Sequence, residues 1–153
     1  MRYFTLFIAL LALAFFSCKD DILSPEEQLQ EDIRIIRQYL TDNNLSTDST
    51  ASGLHYIITQ EGFGSHPDQQ DSVTVKYKGY LTDGSVFDQT DDGETAKFAL
   101  SGLIAGWQEG IPLLKKGGKG TFLLPSVLGY GPYGSGPVEP NSVLIFDIEL
   151  VDF

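Results

Sequence analysis

Apolar and polar positions alternate with two different periods along this chain. In the first part Leu29, Ile33, Ile36 and Leu40 fall at i, i+4, i+7 and i+11, one stripe of an amphipathic helix. Ser24-Pro25-Glu26-Glu27 supplies its start: a capping serine, a proline at the first helical position and a glutamate that completes a capping box. Asp42-Asn43-Asn44 ends it, so the pattern predicts a helix over about 24–42. Its stripe suits packing on the rest of the chain, a homodimer seam or docking on a partner. Packing within the chain or in a homodimer is the expectation. Ser46 to Gly53 is small, polar and poor in apolar residues, and it predicts a flexible linker.

From Leu54 the period becomes two. Leu54–Thr59 reads as a strand. In Ser72–Tyr80, Val73, Val75 and Tyr77 face one way, while Thr74, Lys76 and Lys78 face the other. Asp83-Gly84 signals a hairpin turn, and Val86-Phe87 begins the return strand. Lys97–Leu100 is a further short extended piece. Leu103–Leu114 is helical in part, limited by Pro112 and broken by Gly117-Gly118. Thr121–Leu124 and Val143–Val151 complete the strands, with Phe146, Ile148 and Leu150 on one face of the last. Five or so strands and one short helix predict an α+β domain over 54–153, a curved antiparallel sheet wrapped around that helix and preceded by the N-terminal one.

The start of the chain has neither period. Arg2 precedes an almost unbroken apolar run, Phe4–Phe16. Thirteen residues are too few for a bilayer core, which takes about 20, and they suit the hydrophobic region of a signal peptide over 1–17. The run ends at Ser17-Cys18, which resembles a bacterial lipobox, where the cysteine becomes a lipidated N-terminus. Phe15 stands where leucine is more usual, and Phe16 is bulkier than common choices. An ordinary cleaved signal, or an uncleaved anchor, is the other reading. Lipidation at Cys18 implies an extracytoplasmic protein anchored to a bacterial membrane, most simply the outer membrane, facing either the periplasm or the surface. Lys19-Asp20-Asp21 reads equally as a surface-export signal or a solvated spacer.

Composition narrows the function classes. A net charge of -11 excludes a nucleic-acid surface and a basic grip on anionic lipid. One cysteine excludes an intramolecular disulfide. His55 and His66 are too few for a multi-histidine metal site, and neither CxxC nor HExxH occurs, so no metal or cofactor is called for.

The block Val75-Lys76-Tyr77-Lys78-Gly79-Tyr80-Leu81-Thr82-Asp83-Gly84, followed by Val86-Phe87-Asp88, resembles the FKBP family pattern V-x-Y-x-G-x-L-x-D-G-x-x-F-D. Leu103–Gly110, Leu128-Gly129-Tyr130-Gly131 and Leu144–Leu150 agree in the same order and at similar spacing. The resemblance spans about 54–153 and implies an FKBP-like fold with peptidyl-prolyl cis-trans isomerase activity. It places Tyr77, Phe87, Asp88, Trp107, Tyr130 and Phe146 at catalytic pocket positions, with Phe98, Leu103, Ile104 and Val138 as further substrate-binding positions. It implies an indole floor at Trp107 and walls at Tyr77, Phe87 and Phe146. It also implies hydrogen bonds to substrate or macrolide carbonyls from the Ile104 N–H and the Tyr130 hydroxyl. The implied partners are proline-containing polypeptide segments and macrolide inhibitors. Three positions depart from the pattern. Ala96 stands where many members carry an aromatic, Asp92 where some carry an arginine near the pocket aspartate, and Ser135 where a loop residue bears a ring.

These residue types suit the reaction. Rotating a peptide bond costs about 18–20 kcal/mol through lost resonance, and X-Pro bonds populate both isomers. No bond breaks, so a dry aromatic pocket that fits the twisted amide suffices, without nucleophile or cofactor. Taken singly, an aromatic reads first as core, and only the ordered blocks turn Trp107, Tyr77 and Phe87 into pocket residues; Asp88 has a turn or capping carboxylate and Tyr130 a turn aromatic as the other reading. A hydrolase lacks its GxSxG elbow. A non-catalytic proline-binding chaperone or interaction module on the same fold is the alternative that residue types cannot separate from an enzyme. A third reading makes the helix the working part, as a dimer or complex subunit.

Overall fold

The computed structural model describes residues 23–153. The signal segment 1–17, Cys18 and Lys19-Asp20-Asp21 lie outside the described residues. Helix α1 spans Pro25–Asp42. The Glu27 N–H donates to Ser24 Oγ at 3.3 Å, and the Ser24 N–H donates to the Glu27 carboxylate at 2.9 Å. This reciprocal cap satisfies two otherwise orphaned donors and is worth about 1 kcal/mol.

Seven strands form one antiparallel sheet. They are β1 (Asp48–Ser49), β2 (His55–Gln60), β3 (Ser72–Tyr80), β4 (Val86–Gln89), β5 (Ala96–Ala99), β6 (Lys119–Leu124) and β7 (Leu144–Asp152). Their order is β1-β2-β6-β7-β3-β4, with β5 also on β3. The free edge of β3 is shared along its length: Ser72–Val75 pairs with β5, and Lys78–Tyr80 with β4. Helix α2 (Ala105–Gly110) lies on the sheet's inner face. Pro112 carries no N–H, so α2 passes after Gly110 into a single 3₁₀ turn, Ile111–Leu113.

The alternation predicted for β3 and β7 holds on the inner face, where Val73, Val75, Phe146, Ile148 and Leu150 are buried. The outer face has its own core. Ile36 and Leu40 of α1 pack there on Leu123, Val143 and Ile145. The helix stripe is therefore used within one chain, and the part of it that is most deeply covered is not free to form a seam with a second copy. Leu29 and Ile33 are half-buried.

The linker expectation is corrected. Within 46–53, β1 pairs with β2 through Asp48 opposite Tyr56 and Ser49 opposite His55. Ser52 Oγ lies 2.8 Å from both Glu109 carboxylate oxygens on α2. Gly53, at φ +90°, lies against Leu29, Ile33 and Pro125, whose side-chain atoms would meet a Cβ at 3.3–3.4 Å. Small polar residues read as loose because they bury little surface. Here the hydroxyls of Thr47, Thr50 and Ser52 and the N–H groups of Thr50 and Gly53 find fixed partners, and the small size of these residues admits the close packing. Among the described residues no helix is long and apolar enough to cross a membrane.

Candidate functional site

Between the inner sheet face and α2 lies a cavity of about 150 Å³. Each wall comes from a different element. Strand β3 supplies Tyr77, β4 Asp88, β5 Phe98 and β7 Phe146. The entry to α2 supplies Leu103, Ile104 and Trp107, and the loop after β6 supplies Tyr130. All eight lining residues are among the ten expected from the sequence.

The indole of Trp107 is 5% exposed. Three rings stand nearly perpendicular to it: Tyr77 at 5.0 Å and 83°, Phe146 at 5.3 Å and 88°, and Phe98 at 6.0 Å and 83° between centroids. One plane crossed by three upright ones makes a cup with a floor. Each edge-to-face pair adds about 0.5–1.5 kcal/mol beyond its buried area. The Trp107 Nε1–H is the one buried side-chain polar atom among the described residues with no hydrogen-bond partner. Such an orphan costs about 1–3 kcal/mol, a cost concentrated at the floor of this cavity.

Two expected residues do not line the cup. Phe87 adjoins it, with its ring 5.5 Å and 90° from Phe146 and 6.4 Å and 77° from Tyr130, two of the lining residues. Its ring fills the space above Gly79, where a Cβ would lie 2.7 Å from Phe87 Cζ and from Phe146 Cε1. Phe87 thus packs against two of the cup's rings. Val138 is buried in the inner core, because reciprocal 2.9 Å hydrogen bonds with Ser135 close a tight turn that points it inward. The family resemblance identifies the neighbourhood of each residue, but not which of them lines the cavity.

The polar groups are few. The Tyr77 hydroxyl donates to Asp88 Oδ2 at 2.6 Å. Burial first, and that hydrogen bond second, push the Tyr77 phenol far above its usual range. Burial and then the Asp88 charge raise Tyr130 as well. Both hydroxyls therefore remain protonated donors well past neutrality. Among the described residues no lysine or arginine forms an ion pair with Asp88. The Ile104 carbonyl accepts from Trp107 and Gln108 N–H at 2.9 and 3.1 Å, opening α2. The Ile104 N–H itself, at the rim, has no backbone partner among the described residues. A larger depression of about 520 Å³ lies on the sheet's other face, lined by Lys76, Lys78, Asp147 and Glu149 among others. Its open, charged walls would leave an apolar ring in water.

The raised tyrosines have a measurable consequence. Tyr80 is also raised, by burial and then by the neighbouring Asp147 charge. A group that holds its proton more tightly when folded stabilises the fold below its unfolded pKa, about 10 for tyrosine, and loses that contribution as pH rises through the folded value. Urea midpoints are therefore expected to decline as pH rises past about 10, with a shallower decline in Tyr77→Phe. An unchanged slope in that variant would contradict the assignment.

Comparison with known proteins gives the following. Residues 64–151 match the family model described as FKBP-type peptidyl-prolyl cis-trans isomerase. The chain is 50% identical over 105 residues to a probable FKBP-type peptidyl-prolyl cis-trans isomerase FkpA of Neisseria meningitidis serogroup B, covering 67% of this chain and 39% of that protein. It is 42% identical over 116 residues to FkpA of Escherichia coli, covering 75% and 42%. It is 44% identical over 102 residues to the outer membrane protein MIP of Legionella longbeachae, covering 65% and 44%. The chain thus spans about two fifths of the length of the curated relatives it matches. Among solved structures, that of FkpA from Escherichia coli superposes with a TM-score of 0.72 at 32% identity, covering 86% of this chain and 73% of that one. The structure of AtFKBP13 superposes at 0.64 with 31% identity, covering 70% and 98%.

Proposed function

The chain belongs to the FKBP-type peptidyl-prolyl cis-trans isomerase family, and on that premise we propose that it catalyses cis-trans exchange at proline in exported polypeptides. The observation that carries the reading is the cup itself: an indole floor, three perpendicular rings and a volume of about 150 Å³, which suits one prolyl ring and little more.

The chemistry follows from the walls. A planar amide is stabilised by charge separation between nitrogen and oxygen, and water favours that form. Transfer into an apolar cup removes the hydration, while the twisted amide, with its resonance broken, loses less. The site thus binds the midpoint of rotation better than either planar end. The Ile104 N–H and the Tyr130 hydroxyl hold flanking carbonyls, so that rotation is confined to the bond before the seated ring. Asp88 acts through Tyr77, whose hydroxyl it orients at the cup's wall. Macrolides that present a similar ring are the inhibitors this reading implies.

The test is exchange kinetics of a proline-containing peptide with the full chain in detergent micelles. Acceleration over the uncatalysed rate, competed by excess proline peptide, is the expected outcome. Binding of the peptide with no acceleration would overturn the enzyme reading in favour of a chaperone or interaction module.

The same reading places the protein outside the cytoplasm, anchored through lipid on Cys18. The apolar run before that cysteine supports it, as does similarity to a relative named as an outer membrane protein. Acyl chains contribute about 0.8 kcal/mol per buried CH₂, so Cys18→Ser is expected to move the protein from the membrane pellet to the soluble fraction. Retention in the pellet would remove lipidation from the account.

A further inference from the structure

Asp32 is the one charged residue buried among the described residues, at 0% exposure on α1. A carboxylate in such a place costs several kcal/mol unless its oxygens are satisfied. Among the described residues no cation meets it, and hydrogen bonds satisfy its oxygens instead. Oδ2 accepts from the Ser126 N–H at 2.8 Å and from Ser126 Oγ at 2.6 Å. Oδ1 accepts from Gln28 Nε2 at 2.7 Å. An apolar residue would cover the sheet at less risk. A charge-assisted pair of bonds to one serine, 94 residues away, holds a particular backbone in one place.

That backbone leads to the cup. Ser126 opens the 3₁₀ turn Ser126–Leu128, and its carbonyl accepts from the Gly129 N–H at 2.9 Å. Tyr130 is the next residue. On its far side the Gly131 carbonyl accepts from the Asn141 N–H at 2.8 Å. The Tyr130 hydroxyl makes no hydrogen bond among the described residues, so its aim over the cup rests on the backbone held at these two points. Pro125, one residue before the latch, is also packed against the linker at Gly53.

We propose that Asp32 is a positioning residue for Tyr130, so that helix α1 sets the geometry of the cup's rim through the Asp32–Ser126 latch. The inference rests on the isomerase reading. The N-terminal helix then has a part in the reaction, although none of its residues reaches the cup.

The experiment is a double-mutant cycle with the full chain. Asp32→Asn and Ser126→Ala are each made in the native background and in a Tyr130→Phe background. Each keeps part of the latch, and Ser126→Ala, which leaves the backbone bond in place, carries the test if Asp32→Asn does not fold. In the native background kcat/KM for a proline peptide is expected to fall about fivefold, and in the Tyr130→Phe background less than about twofold, because the hydroxyl being aimed is already gone. Unfolding midpoints fall equally in both. Equal losses of kcat/KM in the two backgrounds would mean that the latch is only structural and would overturn the proposal. Ring proton resonances of Tyr130 give an independent reading. They are expected to shift in Ser126→Ala, and unshifted resonances would overturn it as well. If the native chain does not accelerate exchange, the isomerase reading fails by itself, while the resonances still decide whether the latch positions the ring.

Discussion

Trp107→Ala is expected to lower prolyl exchange at least about a hundredfold and to remove about 3–5 kcal/mol of stability. Both effects come from the same atoms. The indole is almost fully enclosed and meets Tyr77, Phe98 and Phe146 edge to face. Its deletion leaves a void beneath the prolyl ring and removes the support of three walls together. Domains of this size have about 5–15 kcal/mol in hand, so the alanine variant stays folded in the cold but close to its limit. Trp107→Phe separates the two effects. It keeps a ring and much of the packing, but leaves the floor narrower and lower, so catalysis should suffer more than stability. Exchange rates and urea denaturation, measured on both variants, are the check. A folded Trp107→Ala protein with a rate within about twofold of native would end the account of the floor.

Gly106→Ala sets two principles against each other. Within a helix, alanine in place of glycine ordinarily stabilises by about 1 kcal/mol. At this position an added Cβ would lie 2.2 Å from Leu124 Cδ2, 2.4 Å from Cγ and 3.1 Å from the Leu128 carbonyl. Leu124 is fully buried in β6 and has no space to retreat. Overpacking of this kind costs about 1–3 kcal/mol or more, so the clash outweighs the propensity and the variant should be less stable than native. Relief comes from lifting α2 off the sheet, which displaces Trp107 beside it, so catalysis falls too. Gly102→Ala is the control. Nothing lies within 4 Å of its added Cβ, and its effect should be within about 0.5 kcal/mol. A stabilised Gly106→Ala protein would show that α2 does not press on β6 as described.

Together the two variants locate the sensitivity of the protein in one contact, that of α2 with the inner sheet face. They also explain why Gly106 and Trp107 occur as neighbours. The glycine lets the helix come close enough for the indole beside it to act as a floor rather than as a plug.

The boundaries of the elements were legible because their causes are local. The Ser24–Glu27 box and the 3.6-residue stripe locate α1 to within a residue, and strict alternation does the same for β3. Strands β6 and β7 shift by one or two residues because pairing, not propensity, decides their ends. β1 escaped notice because Asp48 and Ser49 have no apolar pattern. They are a strand only because β2 offers an edge.

The cup was legible for a different reason. Its eight lining residues come from six segments, and no period connects them. For seven of them, all but Phe98, their order within four recognisable blocks does, since a family pattern records contacts that folding has already brought together. That record stops at residue type. It did not distinguish Val138, buried in the core, from the residues that line the cavity.

By itself, then, the chain determined where α1 and β3 begin and end, which side of β3 and β7 faces inward, and which aromatics gather around Trp107. Only the tertiary structure decided that α1 seals the outer sheet face, that 46–53 is held in place and that Asp32 grips Ser126. The physical reason is distance along the chain. Periodicity and capping act over about four residues, and an aspartate on a helix reads as a solvated one. Whether it meets water or a serine 94 positions away is settled when the sheet closes beneath it.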